Sequence, residues 1–286
     1  MVSTSAFEAA RPQLTAVAFR ILGSIHDAED AVQSAWIKAS TADTQDLRNP
    51  VAWLTTIVSR LCLDQLRVRK NRDEEPLLAD MLSADVVSAD ERYLQHESIS
   101  RALMVLLDRL TPDQRVAYVL HDLFDVPFRE VAETLGTTPD NAKQLASRAR
   151  RRIEGTEPAQ AAAATDTAVV EAFLAAARGG DIDRMVALMT DDCMRVVDPA
   201  LVPGGTSASV TGARAVAEET RLFADRIRAS APMLVDGRPV HVIAPGGHLL
   251  GVIAITVRDG RVARIDISRA SAHEIYATPP TTSVDR

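Results

Sequence analysis

Aromatic side chains are scarce in this chain: two Trp, three Tyr and six Phe make up only 4% of its 286 residues. Its cores must therefore be built from Leu, Val, Ile and Ala. These bring the apolar share to 47%, ample for folded domains and too high for a disordered chain. Cysteine is rarer still. Cys62 and Cys193 lie far apart, match no zinc or redox spacing and sit among apolar neighbours, so each reads as a small buried thiol. No apolar run approaches the roughly 18 residues of a membrane span. The N-terminal MVSTSAFEAARPQ holds no apolar core of signal-peptide length. A cytoplasmic protein without membrane attachment is expected. Net positive charge is missing too, with a formal charge of −7.

That acidity is unevenly spread. Residues 1–72 carry nine Lys/Arg against seven Asp/Glu, whereas residues 73–100 carry one Arg against eight acids. Residues 101–164 balance at nine each, and residues 165–286 hold thirteen Arg against fifteen acids. The average therefore says little about any one face. The stretch TTPDNAKQLASRARRRI sets Lys143, Arg148, Arg150, Arg151 and Arg152 against the single acid Asp140.

The first 155 residues read as helices. In DAEDAVQSAWIKAS, Ala28, Val32, Ala35, Trp36 and Ala39 recur on one helical stripe. Asn49 and Pro50 suit a cap and a first helical position, and Leu54, Ile57, Val58, Leu61 and Cys62 form the next core face. The acidic stretch from Asp73, with Pro76 and no sustained helical period, reads as a linker. Helices resume at Ile99. Thr111 to Gln114 is a capping box that opens a helix burying Val116, Val119, Leu120 and Leu123. FREVAETLG is a short helix stopped by Gly136, and Thr138 with Pro139 starts another. A short helix, a Gly-bearing turn and a second amphipathic helix form a helix-turn-helix. The second helix buries Ala142, Leu145, Ala146, Ala149 and Ile153. It leaves Asn141, Lys143, Gln144, Ser147, Arg148, Arg150 and Arg151 on its other sides. Such a helix enters the DNA major groove, where Asn and Gln suit adenine and Arg and Lys suit guanine or phosphate.

After the small-residue linker TEPAQAAAATD, strand signals appear. A helical pair broken at Gly179-Gly180 precedes a strand around MRVVD. A helix over GARAVAEETRLFADRIRAS follows, then strands around RPVHVIA, LLGVIAITV and RVARIDIS. Asp259-Gly260 marks a hairpin. Helices followed by an antiparallel meander indicate an α+β domain with helices over one sheet face.

With LGSIHDAEDAVQSAWIKA, NPVAWLTTIVSRLCLDQLR and LTPDQRVAYVLHDLFDVPFREVAETLG in this order, the first 155 residues resemble an extracytoplasmic-function (ECF) sigma factor of the sigma-70 family. The last segment resembles the SnoaL-like (NTF2-like) cone that one branch carries as a fused extension. The fold class implied is multidomain: two all-α sigma domains, then an α+β NTF2-like cone. The boundaries are 1–72 for region 2, 73–97 for an acidic linker, 98–155 for region 4, 156–164 for an Ala-rich linker and 165–286 for the cone. The resemblance implies promoter-specific transcription initiation. Asp27, Asp30, Gln33 and Ile37 would meet the β′ clamp helices of bacterial RNA polymerase core, which also brings its β subunit. Asn49, Trp53, Arg60, Arg67 and Arg69 would meet the −10 element. Thr138, Asn141, Lys143, Gln144, Ser147, Arg148 and Arg151 would meet the −35 element. The C-terminal domain would dock on the sigma domains and modulate them.

No covalent chemistry, cofactor or metal is required. Glu74-Glu75-Pro76-Leu77-Leu78 stands where relatives with this extension carry Trp-Leu-Pro-Glu-Pro. Asp198, His241 and Asp266 are candidates for a pocket inside the cone, while His248, after Pro245-Gly246-Gly247, reads as part of an exposed turn. Two other readings stay open: a stand-alone helix-turn-helix regulator with a ligand-sensing SnoaL-like domain, and a SnoaL-like cyclase or isomerase with a DNA-binding appendage.

Overall fold

The computed structural model describes residues 3–42, 49–71, 82–154, 164–202, 207–235, 238–269 and 275–276. The chain divides into two compact units, Met1–Ile153 and Glu154–Arg286.

The described part of the first unit is helical. α1 (Thr4–Leu22) starts on Ser3, whose hydroxyl accepts the Ala6 N–H at 3.1 Å. It ends on Gly23 at φ 80°, in the left-handed region that a Cβ disfavours. α2 (Ile25–Thr41) buries Ala28, Val32, Ala35 and Ala39, the expected stripe. Trp36 packs half-buried on Phe7, with ring centroids 4.6 Å apart. α3 (Pro50–Asn71) is capped by Asn49, whose Oδ1 accepts the Ala52 N–H at 3.1 Å. Leu54, Val58 and Cys62 are its buried face, and burial pushes the Cys62 thiol up to about 12.

The acidic stretch departs from expectation, because residues 84–96 form a helix, α4 (Ala84–His96). Its inward stripe is Val86, Val87, Asp90, Tyr93 and Leu94, and the carboxylate at its centre conceals the apolar period in the sequence. Asp90 is fully buried, and its Oδ1 accepts the N–H of Ile25 at 2.7 Å. That bond satisfies one of the orphan donors at the start of α2. Residues 72–81, including Glu74 to Leu78, lie outside the described residues.

α5 (Arg101–Leu107) leads to α6 (Pro112–Tyr118), which opens with both bonds of the Thr111/Gln114 capping box. A π turn over Val119–Leu123 continues α6. Then come α7 (Phe128–Leu135), Gly136 at φ 66°, and α8 (Pro139–Glu154). The helix-turn-helix is present as expected.

The second unit begins with α9 (Ala164–Gly179) and α10 (Ile182–Leu188). β1 (Met189–Val197), β2 (Ser209–Thr211), α11 (Ala213–Thr220) and α12 (Ala224–Arg228) follow. β3 (Ser230–Val235), β4 (Arg238–Ile243), β5 (Gly251–Arg258), β6 (Arg261–Ser268) and β7 (Ile275–Tyr276) complete it. The sheet order is β2-β1-β6-β5-β4-β3-β7. β4, β5 and β6 form the expected antiparallel meander, while β1 joins β6 in parallel. Phe173, Leu174 and Ala177 of α9 share one core with Ile253, Ile265 and Ile267 of the sheet.

β3 is not apparent in the sequence, where the helical pattern runs to Ser230. Pro232 argues against a central strand because it cannot donate to a ladder. The strand tolerates it since, among the described residues, β7 pairs only with Leu234 and Val235, leaving Pro232 at the sheet margin. At the other end of the core, Arg195 is 1% exposed. Its guanidinium donates to Glu219 and to the Ser207 carbonyl and lies 4.8 Å from the Phe223 ring centroid.

Candidate nucleic-acid interface

α8 is presented by a short, well-satisfied turn. Thr138 Oγ1 accepts the Asn141 N–H at 3.2 Å, so Thr138 is the cap. Asn141 Nδ2 donates to Thr137 Oγ1 at 2.8 Å. Ala142, Ala146, Ala149 and Ile153 are buried, which fixes the rotation of the helix. Thr138, Asn141, Lys143, Gln144, Arg148 and Arg151 are then exposed, and Ser147 is half-buried beside them. Arg148 donates to Gln144 Oε1 at 3.4 Å, tying two neighbours of that face together.

The cationic cluster divides. Arg150 pairs with Asp122, and Arg152 donates to Gln114 Oε1 at 3.1 Å, so these two secure α8 to α6 and its π continuation. Lys143, Arg148 and Arg151 remain as the outward charge. Cations near the C-terminal end also complement the helix dipole.

On α3, Asn49 is exposed and Trp53 half-buried. The three arginines expected to face DNA are all engaged within the first unit. Arg60 donates to the Glu133 carbonyl at 2.6 Å, one of the orphan acceptors at the end of α7. Arg67 pairs with Asp113 of α6 at 2.6 Å. Arg69 pairs with Asp27 at 2.7 Å and reaches the Leu22 carbonyl at 3.4 Å. Residues 43–48, the loop before Asn49, lie outside the described residues. Asp113 and Glu133 carry no sequence signal for these roles, since they lie 46 and 73 residues from their partners.

On α2, Asp30, Gln33 and Ile37 are exposed at helical spacing, Ile37 to 59%. Asp27 belongs elsewhere. It accepts from Gln65 Nε2 at 3.1 Å as well as from Arg69, fastening α2 to α3.

The second-unit candidates do not converge. Asp198 Oδ1 accepts the Ala200 N–H at 2.9 Å and caps a short 3-10 turn. Asp266 chelates the Arg264 guanidinium and points away from the core side of β6, which Ile265 and Ile267 occupy. His241 is 5% exposed, with Nε2 3.2 Å from Glu171 Oε1. His248 is buried at 2%, not exposed, because the whole Pro245–Gly247 turn folds inward. Among the described residues, no helix is long and apolar enough to cross a membrane. Nor does any group of three His, Cys, Asp or Glu among them form a metal site.

Comparison with known proteins places this geometry. The model of Sigma-70 region 2 matches residues 6–72, and that of Sigma-70, region 4 matches residues 100–153. The chain is 37% identical to the ECF RNA polymerase sigma factor SigJ of Mycobacterium tuberculosis, over 92% of this chain and 90% of that protein. The chain belongs to the ECF sigma-70 family. A probable ECF RNA polymerase sigma factor, SigI, of the same species is 31% identical over 92% of each chain. A crystal structure of SigJ aligns over 95% of this chain and 98% of its own, with 36% identity and a TM-score of 0.44. This sigma factor is thus a transcription initiation factor, of a family that acts with RNA polymerase core at promoter DNA.

Proposed function

We propose that the exposed face of α8 reads the −35 element, with Asn141 and Gln144 on base edges and Lys143, Arg148 and Arg151 on base or phosphate. The observation that carries this is the rotation of α8: its buried alanine stripe leaves these side chains outward together. Thr138 and Ser147 complete the contact. Asn49 and Trp53 meet the −10 element, and Asp30, Gln33 and Ile37 form the docking face for the polymerase clamp. Arg60 and Arg67 exchange the Glu133 carbonyl and Asp113, respectively, for phosphates when the promoter binds, so the contact between α3 and the helix-turn-helix opens. Asp27 and Arg69 act together to hold α2 against α3 beneath these surfaces. Binding energy for melted DNA opens the promoter, and the chain performs no covalent chemistry. The C-terminal unit modulates initiation by docking on the sigma domains, its linker keeping its effective concentration there high. All of this takes place in the cytoplasm.

The test is run-off transcription with core polymerase on templates whose −35 positions are varied one at a time. Asn141→Ala and Gln144→Ala should each relax preference at one or two positions, at a cost of about 1–3 kcal/mol. Arg151→Ala should weaken all templates evenly and reduce the salt dependence. Unchanged preference in both amide variants would place −35 reading elsewhere on the protein.

A further inference from the structure

α4 lies outside both matched sigma regions, the first of which ends at residue 72 while the second begins at residue 100. It is nevertheless fastened to region 2. Asp90, fully buried, accepts the Ile25 N–H at the start of α2 at 2.7 Å. Tyr93 packs on Phe19 of α1 with ring centroids 4.7 Å apart, and Leu94 is buried. Only residues 97–100 then separate α4 from α5, where region 4 begins. Fully extended, the chain from His96 to Arg101 reaches about 18 Å. Region 4 also holds region 2 directly. Arg115 of α6, itself buried, donates Nε to the Arg20 carbonyl of α1 at 2.9 Å. Asp113 and the Glu133 carbonyl take Arg67 and Arg60 of α3.

Promoter DNA sets a longer distance. By their names the −35 and −10 elements lie about 25 base pairs apart, which is about 85 Å of duplex at about 3.4 Å per pair. The whole first unit, at its length, is roughly 40 Å across. With α4 docked, region 2, the tether and region 4 laid end to end reach only roughly 70 Å. Loosening the contacts between α3 and the helix-turn-helix is therefore not enough. Freed from α1 and α2, the chain from Asn71 to Arg101 can span up to about 100 Å. Release of α4 supplies the missing reach.

Resting on the −35 and −10 reading above, we propose that α4 is a latch that must leave region 2 before the sigma factor can occupy both elements. Asp90 and Tyr93 set how readily it leaves. While they hold, region 4 stays over the arginines of α3, and the free chain is kept in a form unable to engage a whole promoter.

The test uses the full chain with spin labels on Gln13→Cys in α1 and Arg92→Cys in α4, both exposed positions, since the native Cys62 and Cys193 are buried. Pulsed electron spin resonance gives the label separation in the free chain and in initiation complexes with core polymerase on DNA carrying a mapped start. One short separation in the free chain should give way to a longer one in the complex. Tyr93→Ala and Asp90→Ala should each populate the longer separation in the free chain. They should also speed complex formation at limiting core by about threefold or more, because a larger share of the chain is already competent. A short separation retained in complexes that need both elements overturns the proposal. So does an unchanged or slower rate in Tyr93→Ala, which leaves the α2 cap in place. The separations in the labelled chain decide the matter even if a variant does not fold. Scrambling the −35 or the −10 bases keeps the two readings apart. If starts are indifferent to either change, the two-element reading fails, and the separation still reports whether α4 leaves region 2.

Discussion

Asp90 shows how one side chain can both obscure and stabilise an element. Its charge interrupts the apolar stripe of α4, yet its carboxylate is the acceptor that the first turn of α2 requires. Asp90→Ala should destabilise the first unit by about 1–3 kcal/mol, since a buried N–H loses its partner. Urea denaturation followed by far-UV circular dichroism measures this, and an unchanged midpoint would show that water replaces the carboxylate. His241 makes a comparable case in the second unit. Its folded pKa lies below the ordinary histidine value because burial outweighs Glu171, with Arg178 reinforcing the depression. In the unfolded chain the ring takes up a proton near pH 6.5, while the folded ring resists it. Stability is therefore complete above that pH and declines as the pH falls through the window beneath it. Unfolding of the second unit, followed through its methyl resonances, should occur at lower urea at pH 5.5 than at pH 7.5. The difference should shrink in His241→Gln, and an equal difference in that variant would assign the effect to other groups.

At the scale of elements, local chemistry and periodicity made most of the first unit legible. The caps at Asn49, Thr111 and Thr138, the Gly136 stop and the alanine stripe of α8 all act over three or four residues, so their partners are near in sequence. The exposed face of α8 could be read for the same reason, because one buried stripe determines the opposite exposed one. β3 and the parallel β1–β6 pairing depend on distant neighbours instead, and a proline in β3 counts against a strand until its place at the sheet margin is known. Long-range pairing also constrains Gly251. A Cβ there would lie 2.8 Å from the Ser268 carbonyl oxygen and 2.9 Å from Leu201 Cδ1. Gly251→Ala should push β5 away from the end of β6 and cost about 1–3 kcal/mol. Thermal unfolding of the second unit tests this, and an unaltered transition would mean that the strand end yields freely.

Across the whole molecule, the order of domains was legible because each carries its own period, helical at first and then alternating. The pairing of candidate site residues was not. Arg60, Arg67 and Arg69 look like one cationic run along α3, but their partners come from α7, α6 and α2 respectively. Asp198, His241 and Asp266 look like a pocket set, yet capping and an exposed ion pair account for the two aspartates. Only contacts between distant segments separate a free charge from one already used. The faces that remain outward, on α2 and on α8, are those we propose for polymerase and promoter. Reconstituted initiation tests that conclusion most directly: the full-length chain is mixed with core RNA polymerase on sheared genomic DNA and the transcript starts are mapped. Discrete new starts sharing −35 and −10 sequences, lost with Ile37→Asp, are the predicted result. Absence of specific starts together with absence of core binding by the wild-type chain would contradict it.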